Sequence, residues 1–332
     1  MSKDPITLAT PGGLSVTLTP FGARLVKLFA PDRAGVLADV ALGHDDLDTY
    51  RTEHGYLGAT CGRYANRIAG GTFVLDGQRV VLDRNEGANQ LHGGTRGFDK
   101  ALWTVAEMAP DRVRFETYSP AGDMGFPGAV DVACTYRLDG LRLIIEMTAT
   151  TTAPTVLNLA HHSYYNLAGP GAGDVMDHHL TLAATHYLPV DAAQVPTGAI
   201  PPVAGTAFDF TQARPIGQTL PGPGGFDHCF ALSAPLQAVG GMLLRPCATL
   251  SHPHTGRRLQ LWTDQVGVQV YTAAHFDGAV PGKDGTRYGR FAGVALETQA
   301  FPDSPNRPQF PSTRLDPGQV YSHVILLDFT PA

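Results

Sequence analysis

Side chains able to do chemistry are bunched in this chain into five segments. They are Gly62-Arg63-Tyr64-Ala65-Asn66-Arg67-Ile68, then Asn89-Gln90-Leu91-His92-Gly93-Gly94, then Asn158 to Leu167, which includes His161, His162, Ser163 and Tyr164. Phe226-Asp227-His228 and Glu297-Thr298-Gln299-Ala300-Phe301-Pro302-Asp303 complete the set. Arg, Asn, His, Asp, Glu and Gln are the inventory for gripping a polyhydroxylated molecule. Each hydroxyl both donates and accepts, so its site needs charged donors beside carboxylate acceptors. A histidine and a glutamate among them can also move protons near neutral pH. Taken singly, every segment has a structural reading as well. A strand histidine can be a satisfied core residue, Arg63 or Arg67 can close an ion pair, and Glu297 can cap a turn. Spacing alone does not show that the five converge.

Other chemistries fit the residues less well. Among 13 histidines, His161 and His162 are adjacent and on a strand face opposite ways, so they cannot share one ion; His178 and His179 are the same. His252 and His254 flank Pro253 in a segment that reads as a turn, and no His-Glu-x-x-His or Cys/His knuckle occurs, so no metal site is expected. Gly169 to Gly173 is glycine-rich but leads into neither a helix nor Lys-Ser/Thr, which argues against a phosphate cradle. There is no Gly-x-Ser-x-Gly elbow for acyl transfer. Cys61, Cys134, Cys229 and Cys247 are far apart and read as free thiols of a reducing cytoplasm, with Cys229 beside Asp227-His228 read as inert.

The elements that must position these residues have the periodicity of strands. Leu14, Val16 and Leu18 alternate with polar or small neighbours. Thr72 to Leu75 and Gln78 to Leu82 flank Asp76-Gly77, a hairpin signal. Asp139-Gly140 repeats the device between Val132/Cys134/Tyr136/Leu138 and Leu141/Leu143/Ile145/Met147. Leu259/Leu261, Val266/Val268/Val270 and Val320 to Phe329 read as further strands. Only Asp45 to Arg51 and Thr211 to Leu220 suggest short helical turns. With 38 glycines and 26 prolines in 332 residues, the pattern predicts one antiparallel sandwich or barrel-like all-β domain spanning residues 1–332. Lys plus Arg is 24 and Asp plus Glu is 30, a net charge of −6 with no basic run, which argues against nucleic acid as a partner. No run of about 20 apolar residues exists to cross a bilayer, and Met1 to Ile6 holds no secretory segment. The expected location is cytoplasmic.

In this order the five segments resemble the aldose 1-epimerase (galactose mutarotase) family. Its pattern runs Gly-Arg-x-x-Asn-Arg-Ile, Leu-His-Gly-Gly, Asn-x-x-Asn-His-Ser-Tyr-Phe-Asn-Leu, Tyr-Asp-His and Glu-Thr-Gln-x-x-Pro-Asp. Asp123 to Gly128 and Gln269-Val270-Tyr271-Thr272 also resemble family segments, and the likeness extends from about Gly12 to the C-terminus. It implies a large antiparallel β-supersandwich that interconverts α and β anomers of a free aldose without a cofactor. By the same resemblance His162 is the general acid and Glu297 the general base. Asn66, Arg67, His92, Asp227, Tyr164 and Gln299 are then sugar contacts, and the partner is a monosaccharide bound by a monomer or weak homodimer. His161 stands where the family usually has Asn, Tyr165 where it has Phe, and Phe226 where it has Tyr. An ionised Glu297 acting with a protonated His162 predicts a bell-shaped pH profile that changes through the histidine range. Three rivals use the same inventory: a non-catalytic sugar-binding module, a glycosidase using Asp227 with Glu297, and a sugar-phosphate enzyme drawing on both Arg63 and Arg67.

Overall fold

Alternation of apolar and polar side chains is what assembles this chain. In a computed structural model, which describes residues 5–11, 13–279 and 281–331, strands are joined by tight turns, and the helices present are short 3-10 turns. Met1 to Asp4 and Gly12 lie outside the described residues. The largest sheet is antiparallel. Its path is Thr104–Ala109, Arg112–Ser119, Val130–Asp139, Arg142–Thr151, Tyr321–Asp328, Arg258–Thr263, Met242–Ser251, His179–Leu182 and Arg214–Pro215, with Gln237–Val239 pairing to Met242–Ser251 off the path. A five-stranded sheet runs Tyr164–Tyr165, Val294–Gln299, Gly267–Tyr271, Asp227–Leu232 and Ala184–Leu188. A third, four-stranded sheet comprises Ile6–Ala9, Ser15–Thr19, Arg24–Pro31 and Leu37–Asp39.

One face of each sheet packs into a common core. Val132, Cys134, Tyr136, Leu143, Ile145, Met147, Leu259, Leu261, Ile325 and Leu327 of the large sheet share it with Val16, Leu18, Leu25 and Leu28. The five-stranded sheet adds Phe230, Val268, Val270, Val294 and Leu296. Each such buried aliphatic or aromatic side chain is worth roughly 1.5–3 kcal/mol relative to exposure. Among the described residues no helix is long and apolar enough to cross a membrane, and all four cysteines are buried and unpaired.

The turns follow their residues. Thr72–Leu75 pairs with Gln78–Val81 across Asp76-Gly77, both at positive φ (50° and 77°) as the sequence requires. At the second hairpin the turn sits one residue later than expected. Asp139 pairs with Arg142, so Gly140, at φ 59°, and Leu141 make the bend. The helical turns are also shorter than their signals, covering Leu47–Arg51 and Ile216–Gln218.

Candidate active site

Pairing register builds the floor of the site. Directly opposed residues of an antiparallel sheet share a face. Glu297 is opposite Gln269, Gln269 is opposite Cys229, and Asp227 is opposite Tyr271, which is opposite Ala295. Tyr164 also lies beside Ala295. Because Phe230, Val268, Val270 and Leu296 take the core face, Asp227, Gln269, Tyr271, Glu297 and Tyr164 are left together on the other. His162 reaches them from Ala160–His162, a short strand paired with Ala59–Cys61. The wall opposite comes from Arg67–Ile68 paired with Gln90–Leu91, which brings Asn66, Arg67 and His92 to the rim.

These groups line a cavity of about 470 Å³, within the ordinary size of a small-molecule site. Asn66, Arg67, His92, His162, Tyr164, Asp227 and Glu297 all face it, so all five segments converge. Gln299 does not. It is fully buried, because the alternation that keeps it on Glu297's face also carries it about 6.6 Å further along the strand. Arg63 turns away from the cavity, and its guanidinium donates to the carbonyls of Phe126, Pro127 and Gly128 at 3.3, 3.0 and 2.5 Å.

At the floor His162 Nε2 lies 3.3 Å from Glu297 Oε1, with both side chains almost wholly buried. Glu297 Oε2 and His162 Nδ1 have no protein partner. Burial pushes the His162 imidazole down to about 3. Burial, with the Asp227 carboxylate nearby, holds the Glu297 carboxyl well above its ordinary value against the opposing pull of Arg67. These opposed shifts favour one proton shared by the pair and no net charge on it. His92 is fixed in one tautomer. Its Nδ1 accepts the Asn66 N–H at 3.2 Å, so Nε2 carries the proton, and burial keeps the ring neutral. Asn66 and His92 both adopt positive φ, at 60° and 49°, a strain that tends to persist where function demands a geometry.

His161 faces the other way. Its Nε2 is 2.7 Å from Ser163 Oγ and its Nδ1 3.3 Å from the Tyr136 hydroxyl, which itself donates to the Ala23 carbonyl at 2.7 Å. Both ring nitrogens are thus satisfied in the core, and burial lowers the ring to about 3. The histidine in the family's usual Asn position is a structural one.

Glu86 and Tyr56 also line the cavity, and Gln269 lies beside it against Asp227. Glu86 grips Arg67 bidentately, Oε2 to Nε and Oε1 to Nη2, both at 2.6 Å. Tyr56, at φ 56°, lays its ring 4.5 Å from His92 and 5.8 Å from His162, centroid to centroid. Gln269 donates from Nε2 to Asp227 Oδ1 at 2.5 Å. Gln269 was legible, since a polar residue between Val268 and Val270 must face away from the core.

Among the described residues two groups of side chains come close enough to hold a metal ion: His92, His162 and Glu297, and Asp177, His178 and His252. Neither is suited to one. A neutral imidazole binds a metal through the nitrogen that lacks a proton. In His92 that nitrogen is already taken by the Asn66 N–H. In His178 it is taken by the Leu167 N–H at 3.0 Å, leaving Nδ1–H to donate to Asp177 at 3.1 Å.

Comparison with known proteins gives the chain's family and fold. The family model described as aldose 1-epimerase matches residues 4–328. The chain is 43% identical over 321 residues to the galactose mutarotase of Rattus norvegicus, covering 96% of this chain and 92% of that one. It is 40% identical over 312 residues to the aldose 1-epimerase of Haemophilus influenzae, covering 92% and 88%. Among solved structures, an aldose epimerase homologue from C. elegans superposes with a TM-score of 0.91 at 31% identity, over 100% of both chains.

Proposed function

The chain belongs to the aldose 1-epimerase family, and from that premise we propose that its cavity interconverts the α and β anomers of a free aldose, with Glu297 and His162 as the proton-transferring pair. The observation that carries this reading is the 3.3 Å approach of His162 Nε2 to Glu297 Oε1 on the cavity floor.

Opening a pyranose ring removes a proton from the anomeric hydroxyl and delivers one to the ring oxygen. Both oxygens are bonded to the same carbon, so two groups flanking one atom are enough. The aldehyde then turns about its C1–C2 bond and closes on the other face. The bound sugar's hydroxyls, with Arg67, favour the Glu297 carboxylate and move the shared proton to His162. Glu297 then takes the hydroxyl proton as His162 protonates the ring oxygen. Ring closure reverses both transfers, which returns the pair to its starting state and leaves nothing for a cofactor to carry. His92 Nε2–H and the free edge of Arg67 are placed to stabilise negative charge developing on the sugar oxygens. With Arg63 bonded to backbone carbonyls away from the cavity, Arg67 is the single Lys or Arg among the described lining residues. That disfavours a dianionic sugar phosphate.

The test is the decay of optical rotation of freshly dissolved α-D-glucose. The protein accelerates it over the spontaneous rate, and Glu297→Gln abolishes the acceleration. Wild-type decay at the spontaneous rate overturns the reading. Release of a chromogenic aglycone from an aryl glycoside favours the glycosidase instead.

A further inference from the structure

Arg67 is held from two sides. Glu86 takes its Nε and Nη2 in a side-on pair at 2.6 Å each, the strong bidentate geometry of guanidinium and carboxylate. That leaves Nη1, which lies 3.8 Å from Asp227 Oδ2. The Glu86 side chain is 36% exposed and that of Arg67 10%, so the clamp stands on the solvent side of the residue it holds. Glu86 itself is fixed by a tight turn in which its N–H donates to the Asn89 carbonyl at 3.2 Å and the Asn89 N–H donates back at 2.9 Å. Beside it, the Asn85 amide bonds both the N–H and the carbonyl of Leu91 at 2.8 and 2.9 Å, and Leu91 is the strand partner of Arg67. Clamp and clamped residue are thus joined locally, Glu86 in the turn that leads into Gln90–Leu91 and Arg67 in the strand paired with it.

Two consequences follow from this placement. Without Glu86, the guanidinium is free to swing toward Asp227 and close that pair, withdrawing its donors from the cavity. Glu86 also supplies one of the carboxylates, with Glu53, Asp227 and Asp277, that line a cavity in which Arg67 is the matching cation. An anionic sugar meets that field, and a neutral one does not.

We propose that Glu86 is a positioning and specificity-determining residue: it aims a single edge of Arg67 at the sugar, and its charge turns the cavity against anionic aldoses. This rests on the sugar-cavity reading above. The experiment compares wild type, Glu86→Gln and Glu86→Asp in polarimetry with α-D-glucose and with α-D-glucuronate, a free aldose bearing a carboxylate. Glu86→Gln keeps the shape and removes the charge. It is expected to raise KM for glucose about tenfold with a smaller change in kcat, and to shift the glucose-to-glucuronate ratio of kcat/KM about tenfold toward glucuronate. Glu86→Asp keeps the wild-type ratio. A purely structural role for Glu86 would move both substrates together. A Glu86→Gln protein within about twofold of wild type in both KM and ratio overturns the proposal and leaves the function standing. A wild-type protein without effect on glucose overturns the function, and this inference with it.

Discussion

His161 and His162 are adjacent in the chain and opposite in duty, because a strand turns successive side chains to opposite faces. His161 satisfies both ring nitrogens in the core, while His162 meets Glu297 in the cavity. We expect His162→Asn to lower kcat by about 10²- to 10⁴-fold with little change in KM. His161→Asn is expected to keep kcat within a few-fold and to cost about 1–3 kcal/mol of stability through unmade buried hydrogen bonds. Polarimetry and urea unfolding on the same two variants check this, and a reversed pattern would exchange the roles. Burial also revises the pH profile. A second proton on the pair leaves a buried positive charge, and loss of the shared one leaves a buried negative charge. The medium opposes both, so the singly protonated working form spans a wide plateau. The acid limb of kcat/KM is therefore expected below pH 6.5, the ordinary imidazole value, rather than in the histidine range where the sequence alone places a change. An acid limb centred at pH 6.5 would contradict it.

The strand Val294–Gln299 is buried at every position, with Leu296 in the core and Glu297 in the cavity. The hairpin at Asp76-Gly77 was read from the sequence and this strand was not, although Val294 and Leu296 alternate there with Ala295 and Glu297. The polar Gln269 in the neighbouring strand was readable by the same rule. Glu86 and Tyr56 were not, since both act from loops whose course depends on contacts distant in sequence. The loop after His92 shows how tight those contacts are. Gly93 has φ 96°, and a Cβ built there meets the Gly62 carbonyl oxygen at 1.9 Å. Gly93→Ala must move the segment that holds His92. It is expected to lose about 2 kcal/mol or more of stability and to lower kcat/KM. Differential scanning calorimetry with polarimetry tests it, and an unchanged Tm would show that the loop yields freely.

Across the whole molecule, buried neutral histidines dominate the acid response. His161 and His162 are lowered to about 3 and His178 to about 4, with His92 and His323 also lowered, all by burial. In the unfolded chain each titrates near 6.5. Below that pH the unfolded state binds more protons than the folded one, so stability is full above 6.5 and falls as the pH drops toward the folded-state values. Asp99 and Glu297, whose carboxyls are raised by burial, work in the opposite sense but are fewer. Urea midpoints are expected to decline steadily from pH 6.5 to 4, and a midpoint constant over that window would refute the assignment of neutral buried rings. At this scale the sequence yielded the all-β class through its turns and alternation. It did not yield the order of strands. Tyr321–Asp328, for instance, lies between Arg142–Thr151 and Arg258–Thr263, a pairing of distant segments that no local pattern encodes.

The strand that carries Glu297 has no side left open to water, and that bears on how such a protein can diverge. A substitution there disturbs either the packing beneath or the proposed proton transfer above, so the segment offers few neutral steps. The rim loops that carry Thr52, His54, Asp277 and Gly278 meet the same cavity from partly or fully exposed positions. Adaptation to a different sugar therefore has its room at the mouth, while the machinery beneath stays fixed.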